Sequence, residues 1–307
     1  MKPKQPALPR KRTPVWRDLA AILLLCALSI ALYRKVALTN RILAGTDAMT
    51  YFYPYRAYAA QAVCDGRVPL WNPYLFFGVP FLANPQAAVF YPLNVMLCGL
   101  SAPKQVAWSL VLHSALAALF AYLYARRVLL LSPVGACLAA AAFGQGGYLA
   151  AQAEHVNQVN VLAWFPLLLL LWESRRHARW SSLLGLALVV GLSLLAGHTQ
   201  ASYISLVGLG LYALASALVS RLGGARGALS VRRRVWAWLK TLVELAWQLA
   251  FVVLVAFGLS AVQLLPTFEL SGRSIRASGF DYRQAVAFSL KPLPRLLQYT
   301  FLPRLRA

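Results

Sequence analysis

Only eight of the 307 residues are acidic, and two of these eight stand where chemistry could be done. Asp47 follows the first apolar run, and Glu154-His155 fills a short polar break between two later ones. His198 lies in a similar break, Gly197-His-Thr-Gln200. An ionisable group near membrane depth is costly unless it is paired or used. A carboxylate at Asp47 or Glu154 could take a proton from an attacking hydroxyl. Alternatively the two could hold a divalent cation such as Mg or Mn against a phosphate. His155 and His198 could hydrogen-bond a departing phosphate or orient the carboxylate. Each position also has a plainer reading: Asp47 as N-cap of a helix over Ala48 to Val63, and the other two as solvated turns. Their combined weight comes from lying at helix ends on one side of the bundle.

The segment between Tyr51 and Pro92 supplies binding groups of another kind. It holds 12 of the 37 aromatic residues and six of the 17 prolines, more than a simple connector needs. Trp71, Asn72, Asn84 and Gln86 suit a sugar or a lipid headgroup, as does Gln200. Arg41, Arg56 and Arg67, with Arg273 and Arg276 near the other end of the chain, suit a lipid phosphate. Tyr51, Tyr55 and Tyr58 recur at helical spacing, and can simply seat an interfacial helix in the headgroup layer.

These residues must be positioned by membrane-spanning helices. Sixty per cent of the chain is hydrophobic and 12% charged, which excludes an ordinary soluble domain. Seven apolar runs, near 16–36, 105–125, 132–151, 158–173, 181–197, 201–220 and 241–265, approach or exceed the length of a spanning helix. A shorter one, Ala87 to Leu100, contains Pro92 and reads as interfacial or re-entrant. The net charge of +22 would ordinarily raise nucleic-acid binding. Here the basic residues cluster in alternate loops, the pattern of cytoplasmic loops in a polytopic protein, so no nucleic-acid partner is expected. The same alternation places the N-terminus in the cytoplasm and the loop 37–104 outside.

The expected architecture is therefore an all-α polytopic transmembrane bundle of about seven spans. A basic tail (1–15) precedes the module 16–265, which includes a large helical first external loop. Residues 266–307 read as an external segment that opens a region continuing beyond Ala307. Cys26 and Cys137 fall in apolar runs and read as small core residues. Cys64 and Cys98 could share the outer side, but nothing in the sequence pairs them.

A family resemblance adds to this reading. Asp47 with Tyr53-Pro54, the block Gly66-Arg-Val-Pro-Leu-Trp-Asn-Pro-Tyr74, Phe77-Gly-Val-Pro-Phe81, Asn84-Pro-Gln86 and Tyr91-Pro-Leu-Asn94 resemble the YfhO family of bacterial membrane proteins. Gly197-His-Thr-Gln-Ala-Ser-Tyr203 matches a second characteristic turn of that family. The resemblance implies a GT-C-like integral membrane glycosyltransferase of the bacterial plasma membrane. Such an enzyme moves a sugar from a polyprenyl-phosphate carrier to a cell-envelope polymer or glycolipid on the outer face. It also implies a catalytic acid in the first external loop, matched by Asp47, and a second in the next, where Glu154 fits by location. Family members are more than twice as long, so the chain resembles their N-terminal part. A lipid-linked sugar flippase, or a non-catalytic scaffold or truncated relic, would share the spans but not the use of Asp47.

Overall fold

The computed structural model describes residues 14–224, 231–274 and 277. Seven helical rods match the seven expected spans: α1 (Val15–Ala37), α4 (Ala102–Arg127), α5–α6 (Pro133–Gly144 and Gly147–Ala151), α7–α8 (Val156–Leu162 and Phe165–Ser174), α9 (Arg179–Leu195), α10 (Thr199–Gly224) and α11 (Val231–Gly272). Six of them are long and apolar enough to cross a bilayer; α9, at 17 residues, is the short one. The bundle thus has a loop end, where α1 finishes, and an arginine end, where α4, α8 and α10 finish. The last rod is longer than the expected 241–265. It runs from Val231 through Pro266 to Gly272, so residues 266–272 continue the helix.

Two rods are central, α4 and α7–α8, each with 61% of its apolar window buried, against 17% for α1. Lipid is as apolar as leucine, so helices in a membrane associate through close packing and internal polar bonds. Both are present. Ala136, Ala140 and Gly144 lie one turn apart on α5 and are fully buried. The backbones approach so closely there that a Cβ on Gly144 would sit 2.6 Å from the Ala118 amide nitrogen. At the same level Ser114 donates to the Gly144 carbonyl (2.8 Å), and Gln145 donates to the Ser29 hydroxyl (2.8 Å). These bonds join α1, α4 and α5 where the third rod breaks, and polar groups at membrane depth require such internal partners. At the arginine end, Asp18 of α1 accepts from Tyr122 (2.5 Å) and from Arg126 Nε (2.7 Å) of α4.

The segment between α1 and α4 folds onto the loop end. A helical stretch from Thr46 widens into a π-type turn over Ala48–Phe52 and continues as α2 (Tyr53–Cys64). A two-stranded antiparallel hairpin follows, β1 (Trp71–Asn72) with β2 (Val79–Pro80), then a 3₁₀ turn (Pro85–Ala87) and α3 (Pro92–Val95). The expected re-entrant segment is docked into the bundle. Tyr91 is fully buried; its hydroxyl donates to His113 Nε2 on α4 (2.7 Å) and accepts from Trp164 Nε1 (3.0 Å). His113 Nδ1 donates to the Ser109 carbonyl (2.7 Å), which fixes the tautomer that lets Nε2 accept. His113 lies three turns into α4, about 16 Å along its axis. Farther round, Gln263 of α11 donates to the Leu82 carbonyl (2.6 Å).

Cys64 and Cys98, which the sequence leaves unpaired, form a disulfide across 34 positions, with Cα atoms 6.2 Å apart. It ties the end of α2 to the segment after α3. Closing a loop of this length stabilises by about 4 kcal/mol through the unfolded chain. Cys64→Ser should therefore lower the midpoint of thermal unfolding in detergent. Dithiothreitol should lower the wild-type midpoint similarly and leave the variant unmoved. Equal midpoints for both proteins would contradict a stapling role.

Candidate active site

Two of the sequence-nominated side chains, Asp47 and His155, meet at the loop end, and a third, Glu154, lies beside them. Asp47 is carried on the first helical turn after α1. The chain there is set by Tyr53, whose hydroxyl accepts from the Leu43 amide (3.0 Å) and donates to the Leu43 carbonyl (2.9 Å). Asp47 does not cap this helix with its side chain, as a plain N-cap would. Its Oδ2 lies 3.1 Å from His155 Nε2, and both side chains are about half exposed (51% and 47%). His155 is held at the start of α7, where its carbonyl accepts from the Gln158 amide (2.8 Å). Glu154 folds over Gly45, and a Cβ there would lie 2.3 Å from the Glu154 carboxyl carbon. Asp47 and His155 therefore meet between the turn before α7 and the helical turn at Thr46, with Glu154 packed on Gly45 beside them. The π-type turn beside Asp47 belongs to a class of helix distortion often found at functional sites.

His198 approaches the same cluster from the α9–α10 turn. Its Nδ1 accepts from the Ala201 amide (3.1 Å), leaving the ring proton on Nε2. Burial lowers its pKa below the ordinary histidine value, and the charge of nearby His155 lowers it further against an opposing backbone hydrogen bond. His198 is therefore a neutral donor at pH 7. Gly197 makes this approach possible. Its φ of +86° suits glycine, and a Cβ there would come within 2.3 Å of the Pro85 carbonyl oxygen.

The other nominated residues divide by what they touch. Asn72 Oδ1 accepts from the Tyr74 amide (2.9 Å). Asn84 accepts from the Gln86 amide (3.0 Å) and donates to the Tyr51 hydroxyl (2.7 Å). Both amides hold turns together, leaving Gln86 and Gln200 as the exposed amides. Trp71 is half exposed, with its indole lying over Gly78. The hairpin tip beyond it projects Tyr74, Phe76 and Phe77, the last two with φ of 48° and 64°. Arg67 pairs with Asp65 at 2.9 Å, and Arg273 with Glu269 at 2.9 Å; all four are exposed. Arg276 lies outside the described residues.

Arg56 is not a surface headgroup contact. It is 4% exposed, and its Nη2 donates to Asn157 Oδ1 (2.9 Å), whose Nδ2 donates to the Gln86 carbonyl (2.7 Å). Burial pushes its pKa down to about 10, so it remains charged at neutral pH. It lines a cavity of about 20 Å³ beside Asn94 Oδ1, which has no hydrogen-bond partner among the described residues. That is room for one water. A loop arginine gives no sequence sign of such burial. The buried Tyr91–His113–Trp164 group was likewise missed, although an Asn-rich α7 (Val156-Asn-Gln-Val-Asn160) hints at a polar core.

Among the described residues, no three His, Cys, Asp or Glu side chains come together as a set able to hold a metal ion. Asp47 and Glu154 could contribute at most part of a coordination sphere, the rest coming from substrate and water. No family model, curated protein or solved structure matches this chain.

Proposed function

We propose that the chain is a membrane glycosyltransferase, similar to the YfhO family, acting on a polyprenyl-phosphate sugar at the outer face of a bacterial plasma membrane. The observation that carries this reading is the Asp47–His155 contact at 3.1 Å, with Glu154 packed on Gly45 beside it. In the proposed step Asp47 takes the proton of an acceptor hydroxyl. The hydroxyl oxygen forms a bond to the anomeric carbon as the bond from that carbon to the phosphate oxygen breaks. The anionic polyprenyl phosphate leaves with the electron pair, and the configuration inverts. His155, donating from Nε2, holds one carboxylate oxygen and turns the other toward the acceptor. His198 Nε2–H is a neutral donor suited to the departing phosphate. The acceptor is a cell-envelope polymer or glycolipid, for which the exposed Trp71 and Gln86 offer a stacking face and an amide.

The orientation rests on two independent supports. Basic clusters lie in the loops at the arginine end, the cytoplasmic side under the positive-inside rule. The Cys64–Cys98 disulfide lies at the loop end, and disulfides persist in oxidising compartments. A flippase would instead place ionisable groups at mid-depth between spans. The ring found there, His113, is bonded through both nitrogens to groups of the protein.

Transfer from a polyprenyl-phosphate sugar in proteoliposomes tests the reading through Gly45→Ala. The new methyl group fits only if the flexible Glu154 side chain moves away. Folding should therefore be nearly unchanged, and turnover should fall roughly tenfold through the displaced carboxylate. Full turnover in this variant would mean that Asp47 acts without help from the neighbouring Glu154 carboxylate. An inactive wild-type protein across a panel of donors would favour a scaffold.

A further inference from the structure

The arginine end carries a second site. Between the α8–α9 turn and the neighbouring faces of α10 and α11 lies a cavity of about 390 Å³, within the range of small-molecule pockets. Its walls include Arg175, Arg176, Arg179, Thr241, Glu244 and Gln248. The three guanidinium groups are not equivalent. Arg179 pairs with Glu244 (3.3 Å), and Arg176 with Glu173 (3.2 Å). Arg175 forms no ion pair among the described residues. Its guanidinium stacks on Trp172, 3.6 Å from the ring centroid, while Nε donates to Gln248 Oε1 (3.1 Å) and Nη1 to the Trp172 carbonyl. Nη2 makes no hydrogen bond to the protein among the described residues.

Arg175 is thus a half-buried cation, immobilised on a fully buried indole, while the nearby Glu173 and Glu244 make their direct ion pairs, among the described residues, with Arg176 and Arg179. Desolvation lowers its pKa, the charges of Glu173 and Glu244 offset part of this, and the neighbouring Arg176 adds repulsion. A fixed guanidinium with a free N–H edge matches a phosphate oxygen better than it matches water. The depth of the pocket also fits a headgroup. Trp180, Trp247 and Phe251 cluster beside it, with Arg179 over the Trp247 ring at 4.7 Å, as aromatic residues do at a membrane interface. Basic pockets between spans on the cytoplasmic side are suited to anionic headgroups.

We propose that this pocket binds a phosphate group, presented by an anionic lipid of the adjoining leaflet or by a soluble phosphate ester on that side. The site is separate from the Asp47 cluster: the 19-residue rod Val156–Ser174, about 28 Å long, stands between His155 and Arg175. It does not depend on the reading given to the loop end.

The test is native mass spectrometry of the full chain, titrated with phosphatidylglycerol, phosphatidylcholine of the same acyl chains, or glycerol 1-phosphate. Arg175→Gln and Arg179→Gln probe the pocket, and Arg34→Gln at the far end of α1 is the control. Wild type and control should prefer phosphatidylglycerol to phosphatidylcholine, and each pocket variant should weaken that binding about fivefold. Arg175→Lys should lose part of it, keeping the charge but not the fork. Binding that survives excess glycerol 1-phosphate supports the lipid source. Glycerol 1-phosphate adducts lost in the pocket variants, without any lipid preference, support the soluble source. The exposed Arg179→Gln carries the test if Arg175→Gln does not fold. Equal binding by Arg179→Gln and Arg34→Gln, or no preference for either phosphate ligand over phosphatidylcholine, overturns the proposal.

Discussion

Replacing Asp47 by Asn should cut sugar transfer by roughly 10²- to 10⁴-fold, the usual contribution of a positioned general base. The amide keeps the size of the side chain and can still meet His155, but it cannot take up a proton. Asp47 is half exposed and its carboxylate caps no helix, so little stability depends on it. Binding of the polyprenyl-phosphate donor should survive in the variant, and the loss should fall on kcat rather than KM. His155→Ala should lose less than Asp47→Asn, because the ring steers the carboxylate and does not replace it. If Asp47→Asn retains wild-type turnover, the base lies elsewhere and the proposed chemistry fails. If His155→Ala is the more damaging change, the imidazole is the base and Asp47 its orienter.

Gly197→Ala should strongly destabilise the fold through a single methyl group. Two costs coincide at this position. A left-handed backbone costs a residue with a Cβ about 1–2 kcal/mol. The Cβ would also meet the Pro85 carbonyl oxygen at 2.3 Å and Ala88 Cβ at 3.2 Å, so the 3₁₀ turn must shift. Overpacking of this kind costs roughly 1–3 kcal/mol more. The loss should appear as a clear fall in the midpoint of thermal unfolding in detergent. Gly210→Ala is the matched control: it lies within α10 with nothing within 4 Å of the new Cβ, and should be neutral or slightly stabilising. An unchanged midpoint for Gly197→Ala would mean that the 85–88 turn gives way easily, and that it does not rigidly position His198.

The two ends of the bundle were not equally legible in the sequence. Apolar length located the six rods long enough to span and the shorter α9 beside them, because a bilayer sets the minimum length and the prediction needs no partner. Their interruptions were less accessible. The break at Gly144–Gly147 is stabilised by Ser114, Ser29 and Gln145, and those pairings exist only in three dimensions. The contact of Asp47 with His155 could be anticipated, since each lies in a loop attached to a helix end on the same side of the bundle. The hydrogen bonds by which Asn72 and Asn84 hold their own turns were not legible, for a chemical reason. Asparagine before proline serves a turn as readily as a ligand, and both of these amides are engaged with neighbouring backbone. Arg56 illustrates the opposite error: burial of a charge depends on Asn157 and on tertiary packing, not on local composition.

The anchoring of Tyr91 between His113 and Trp164 has a dynamic consequence. A loop tied only at its rim could swing as a lid, but this one is rooted inside the bundle. Its amides from Ala87 to Asn94 should exchange with deuterium almost as slowly as those of α4, and open only with the surrounding helices. Under the proposed function, substrates would reach the Asp47 cluster by their own lateral diffusion, along a surface that is already assembled.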